Sequence, residues 1–172
     1  MRWPADLAPE RLRQPDGRSC GAASVLGARA LLSAWRPERP QEEIAEEHRL
    51  LTSSRSPRDR LQLPWPRALG TPPWAVANAL RALTGDHIAT VFVRPRPAIG
   101  YDVLREQLHT RPVGVYLGSR WLPRHVVLAV GAVEGGIEVF DPAAGRLVTV
   151  TAQRWIEHRV DIAGWSHTWF VV

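Results

Sequence analysis

Helix-period apolar patterning and strand-like runs occupy different halves of this 172-residue chain, and that segregation constrains the fold more than any other feature. After Cys20, residues Ala23, Leu26, Ala30 and Leu31 recur at helical spacing with Val25 and Leu32 beside them, which predicts a helix whose small-residue face packs inward. Ser19 is the expected N-cap, which puts Cys20 in the first turn. A second helix is expected over 41–51, entered after Pro40, with acidic residues in its first turn and Ile44, Ala45, His48 and Leu51 inside. Pro72 and Pro73 open a third, through Trp74, Val76, Ala77, Leu80 and Leu83, which Gly85 can end in the left-handed conformation.

From His87 onward the period changes. Strands are predicted at 87–93, 113–117, 125–130, 137–140, 147–150 and 168–172, with a short helix over 101–108 and a helical turn capped by Thr151. Helices followed by strands imply an α+β fold with an antiparallel sheet. Between Thr52 and Thr71 lie serines, arginines and three prolines with little periodicity, the expected lid or specificity loop. No repeat or linker interrupts the chain, and 45% hydrophobic residues suffice for one core, so a single domain over 1–172 is expected.

Composition narrows the function classes. The net charge is +5, yet every basic side chain is arginine, scattered among prolines and acids. The densest stretch, Arg55-Ser56-Pro57-Arg58-Asp59-Arg60, has no interleaved aromatics, so no nucleic-acid partner is expected. No window approaches the roughly 18 apolar residues of a membrane span, and the residues after Met1 lack a targeting pattern, so a soluble cytoplasmic protein is expected. His48, His87, His109, His158 and His167 have no metal-ligand spacing, and neither metal nor cofactor is expected. Cys20 is the one cysteine, which excludes an intramolecular disulfide and fits a reducing compartment.

A lone thiol at the mouth of a helix is placed to react, because the free amides and positive dipole end there favour an anion. Attack on a carbonyl needs a base beside the sulfur, and the base needs an acceptor that fixes its tautomer. His125, at the head of an apolar strand, and Asp141, at the end of Ile137-Glu138-Val139-Phe140, follow Cys20 in that order. Their even separation permits one sheet face only under a condition. A wide or bulged hairpin, or a twist at Asp141-Pro142, aligns them, whereas a tight Glu134-Gly135 turn alone puts them on opposite faces. Ser24 lies one turn beyond Cys20 without a G-x-S-x-G elbow, so packing is its expected role. Among the eight tryptophans, Trp65, Trp74 and above all Trp121 are the expected groove residues.

Gln14-x5-Cys20-Gly21 together with His125-x15-Asp141-Pro142 resembles the C39 branch of the papain-like cysteine peptidases, the bacteriocin-leader peptidases and their free-standing relatives, from about Leu12 to Phe170. The resemblance implies a papain-like fold, with the nucleophile on the first helix packed against a sheet carrying the histidine and aspartate. It assigns Cys20 as nucleophile, His125 as general base and later acid, Asp141 as orienting acceptor and Gln14 as a donor in the oxyanion hole. In leader peptidases of this branch the residue before the cysteine is usually Asp; here it is Ser19. The implied activity is hydrolysis of a peptide bond in a peptide or protein substrate through a thioester. Interception of that thioester by an amine or thiol, and a non-catalytic module that recognises a leader, are the alternatives. Substrate sequence and oligomeric state stay open.

Overall fold

The computed structural model describes residues 1–56 and 61–172; most of the basic stretch from Arg55, and the centre of the loop between Thr52 and Thr71, lie outside the described residues. The order is α1 (Cys20–Leu32), α2 (Pro40–Leu51), α3 (Pro73–Thr84), β1 (Val91–Phe92), α4 (Pro97–Gln107), β2 (Val113–Gly118), β3 (Pro123–Val133), β4 (Gly136–Asp141), β5 (Arg146–Val150), α5 (Ala152–Ile156) and β6 (His167–Val171). The strands form one antiparallel sheet ordered β1-β6-β2-β3-β4-β5. This is an α+β fold with its N-terminal helices on an antiparallel sheet.

Both faces of the sheet are covered. Tyr116, Val126, Leu128, Val130 and Phe140 pack with α1, α2 and α3, while Val115, Val127, Ala129 and Val139 pack with Leu104 of α4 and Trp155 of α5. Hence β2 is buried at every position and reads as a continuous apolar run instead of an alternating one. Gly114 lets α3 approach: a Cβ there would meet Val76 Cγ1 at 3.1 Å.

One strand and one helix differ from expectation. Instead of 87–93, only Val91 and Phe92 pair, with β6. The Ile88 carbonyl accepts from Arg81 Nε at 3.0 Å and from Arg81 Nη2, so a side chain takes the bond that a strand would need. The helix expected over 101–108 begins four residues earlier, because Pro97 sits in its first turn with its fixed φ already helical. Gly85 ends α3 with φ 82° and the Thr151 hydroxyl accepts from Arg154 N, both as expected. Among the described residues no helix is long and apolar enough to cross a membrane.

Candidate active site

Cys20 begins α1 and is buried. Ser19 holds the N-cap position but makes no side-chain cap bond. Its hydroxyl turns back and donates to Asp16 Oδ1 at 2.8 Å, and the same oxygen accepts from the amides of Arg18 at 2.8 Å and Ser19 at 2.9 Å. Burial opposes ionisation of Asp16, but these three donors hold its carboxyl below the usual carboxylate range. Contrary to the capping expectation, Ser19 leaves the start of α1 without a side-chain cap, and the Asp16 carboxylate binds the amides just before it.

The second residue of α1 must be glycine. A Cβ on Gly21 would stand 2.6 Å from Thr71 Cβ, so the absent side chain is what lets the segment around Thr71 lie against the start of α1. The Thr71 carbonyl in turn accepts from Tyr116 Oη at 2.9 Å. Burial, and then negative charge at Cys20, push the Tyr116 phenol well above its ordinary range, so it stays a donor.

The tight hairpin and the bulge both occur. Val133 pairs with Gly136 across Glu134-Gly135, and Gly135 has φ 85°. Continued unbroken, that register would set His125 and Asp141 on opposite faces. The register shifts by one between Ala129 and Gly131, so that Ala129 faces Val139 and Leu128 faces Phe140. The extra residue restores equal parity. Pairing of β3 with β4 ends there, while β3 continues alongside β2 as far as Pro123. Across this fork His125 Nε2 meets Asp141 Oδ1 at 3.0 Å, with both side chains buried.

The His125 ring and Cys20 line the same groove, near enough for the thiol to raise the imidazole. Because Nε2 is occupied by Asp141, Nδ1 is the nitrogen left for the sulfur. Burial pulls the imidazole down, but the bond to Asp141, the nearby Cys20 and their negative charges outweigh it and raise His125 to about 9. For Asp141, burial pushes upward, while His125 and the Ala143 and Ala144 amides hold the carboxyl below its usual range.

Gln14 sits one loop away. Its backbone N–H donates to the Pro142 carbonyl at 2.8 Å, and Arg13 Nε donates to Ala143 O at 3.2 Å, which ties the loop before Cys20 to the turn after Asp141. The Gln14 side-chain amide donates to the Asp16 carbonyl, and its Oε1 is buried without a partner among the described residues.

A groove of about 590 Å³ opens onto Cys20 and His125. Trp65 and Leu69 come from the predicted lid region, Trp74 from α3, Tyr116 and Phe170 from the sheet, and Arg18 and Arg124 add positive charge. Trp65 and Trp74 meet edge to face at 5.3 Å. Trp121 is not among the groove residues: it is 70% exposed and stacks beneath Arg120. Trp165 takes the expected place. It lies beyond α5, where the sequence carries no periodic signal, as Thr71 and Tyr116 do in a loop and an all-apolar strand. Ser24 is buried, with its hydroxyl toward the Val126 carbonyl at 3.4 Å. Among the described residues no group of three or more His, Cys, Asp or Glu is placed to hold a metal ion.

No protein-family model matches this chain. No curated protein matches its sequence either.

Proposed function

We propose that the chain is a cysteine peptidase of the papain-like kind, as the resemblance to the C39 branch implies, cleaving a peptide bond through a thioester on Cys20. The observation that carries this reading is the buried His125–Asp141 bond on the groove that Cys20 also lines. A histidine held at about 9 is cationic at neutral pH. Such a cation beside Cys20 stands where a nucleophilic thiol needs its base, because only the thiolate attacks a carbonyl.

With a peptide in the groove, the Cys20 sulfur forms a bond to the scissile carbonyl carbon and the electron pair moves to oxygen. The Cys20 backbone N–H and the Gln14 amide are the donors proposed for that oxyanion, and one such donor is worth about a hundredfold to a thousandfold in rate. His125 passes its proton to the leaving nitrogen as the C–N bond breaks, which leaves an acyl thioester and a free amine. Neutral His125 then takes a proton from water, the hydroxyl adds to the thioester carbon and the C–S bond breaks. The acid departs, and the thiolate and imidazolium are restored without a cofactor.

The test is the rate of Cys20 alkylation by iodoacetamide between about pH 4 and pH 9, in the native chain and in His125→Ala. Fast reaction persisting below neutral pH and lost in the variant is the expected result. A rate that follows an ordinary thiol in both proteins overturns the peptidase reading.

A further inference from the structure

The loop between α5 and β6 carries three non-glycine residues in the left-handed region: His158 at φ 56°, Asp161 at 51° and Ala163 at 52°. Such backbone is disfavoured for residues that carry a Cβ and persists where the surroundings impose it, often at functional positions. In this loop it presents His158 to Arg94, whose Nη1 lies 3.1 Å from His158 Nε2. A guanidinium only donates, so Nε2 is the acceptor and the imidazole proton sits on Nδ1. That Nδ1 and Arg94 Nε are both buried and have no hydrogen-bond partner among the described residues.

The His167 ring and the Arg120 backbone adjoin this pair. His167 stacks on His158 with ring centroids 4.7 Å apart, and Arg94 Nη2 reaches the Arg120 carbonyl at 3.5 Å while its guanidinium lies 5.8 Å from the Trp169 ring. Burial first, and then Arg94, lower both histidines; His167 adds to the effect on His158, and Arg120 to that on His167. The carboxylates of the loop are turned elsewhere, Glu157 to Arg159 and Asp161 to Arg154. Positive charge and unused donors therefore converge while these two loop carboxylates are engaged elsewhere, an arrangement suited to a bound anion.

We propose that Arg94, His158 and His167 form a binding site for an oxyanion, the carboxylate or phosphate group of a ligand. His167 pairs with Gly118, and Gly118 with Pro123 in the groove wall. At about 4.8 Å per strand the cluster lies about 10 Å from that wall, close enough for one ligand to occupy both. The site goes beyond the peptidase reading and stands without it, because its test needs no turnover.

Inorganic phosphate and acetate, each against chloride at matched ionic strength, are titrated into the full chain while the imidazole resonances of His158 and His167 are followed by NMR. Saturable shifts with phosphate alone identify a phosphoryl ligand; shifts with acetate as well identify a carboxylate. Arg94→Gln weakens binding at least about tenfold, the loss of a charge-assisted contact, with the His125 resonance unmoved as evidence that the fold is intact. His158→Gln gives the second reading should Arg94→Gln unfold. Shifts no different from chloride, or full binding in a folded variant, overturn the proposal.

Discussion

Asp141→Asn isolates what the carboxylate contributes. The substitution keeps the side-chain shape and an acceptor oxygen, but removes the charge that meets His125 Nε2 at 3.0 Å. Burial pulls His125 down, and the bond to Asp141, the nearby Cys20 and their charges bring it to about 9. An opposite charge in contact moves a titrating group by about 1–3 units, so the variant should bring His125 to about 6–8. At about 1.4 kcal/mol per unit this is about 1–4 kcal/mol. Imidazole NMR reads the shift directly, with His125→Ala supplying the assignment. Stability follows in a Cys20→Ser background, where no thiol exchanges a proton with the ring. There a folded value above the usual 6.5 means that the native state holds a proton the unfolded chain has released. That contribution is complete below pH 6.5 and is lost as pH rises through the folded value. Urea unfolding at about pH 6 and about pH 9.5 should therefore show a fall in stability that shrinks by about 1–4 kcal/mol when Asp141→Asn is added. A native His125 that titrates near 6.5, or one that titrates identically in both proteins, refutes the reasoning.

Gly21→Ala drives a Cβ to 2.6 Å from Thr71 Cβ; overpacking of this kind costs about 1–3 kcal/mol, so thermal unfolding should show the loss together with slower Cys20 alkylation. Asp16→Asn removes a carboxyl held below its usual range. Because that folded value is depressed, its contribution is present above the unfolded value of about 3.9 and is lost as pH falls through the folded one. The acid limb of the melting-temperature profile should accordingly be shallower in the variant, and an unchanged limb counts against the role given to Asp16.

Much of the fold was legible because local signals agreed with one another. Pro73 and Gly85 bracket α3, Thr151 caps α5, and the apolar run after Cys20 marks α1, although its residues 20–28 are buried all round instead of along one face. What escaped depends on contacts that no window contains. The Ile88 carbonyl is withdrawn from pairing by Arg81, which belongs to the preceding helix. Ser19 has the right side chain for a cap, but a carboxylate three residues earlier competes for its hydroxyl and wins. Trp121 is the tryptophan nearest His125 along the chain, yet the turn after Gly118 carries it outward, and Trp165 reaches the groove from forty residues further on.

The His125–Asp141 pair is the sharpest case, because sequence parity posed the question without answering it. A two-residue turn and an even separation are incompatible with one shared face, so one strand had to hold an extra residue. The register shift falls beside Gly131, where a Cβ would stand 2.3 Å from the Met1 backbone oxygen. The N-terminal segment thus lies directly on the irregularity, and two residues later Trp3 stacks on Phe140 at 4.7 Å, next to Asp141. A glycine in a strand marks a close backbone approach or a bulge, but Val130-Gly131-Ala132 alone does not say which segment approaches. The chemistry of the site therefore rests on a tertiary contact between the first residues of the chain and the hairpin, since that contact accompanies the one residue of offset on which the histidine and the carboxylate depend to meet.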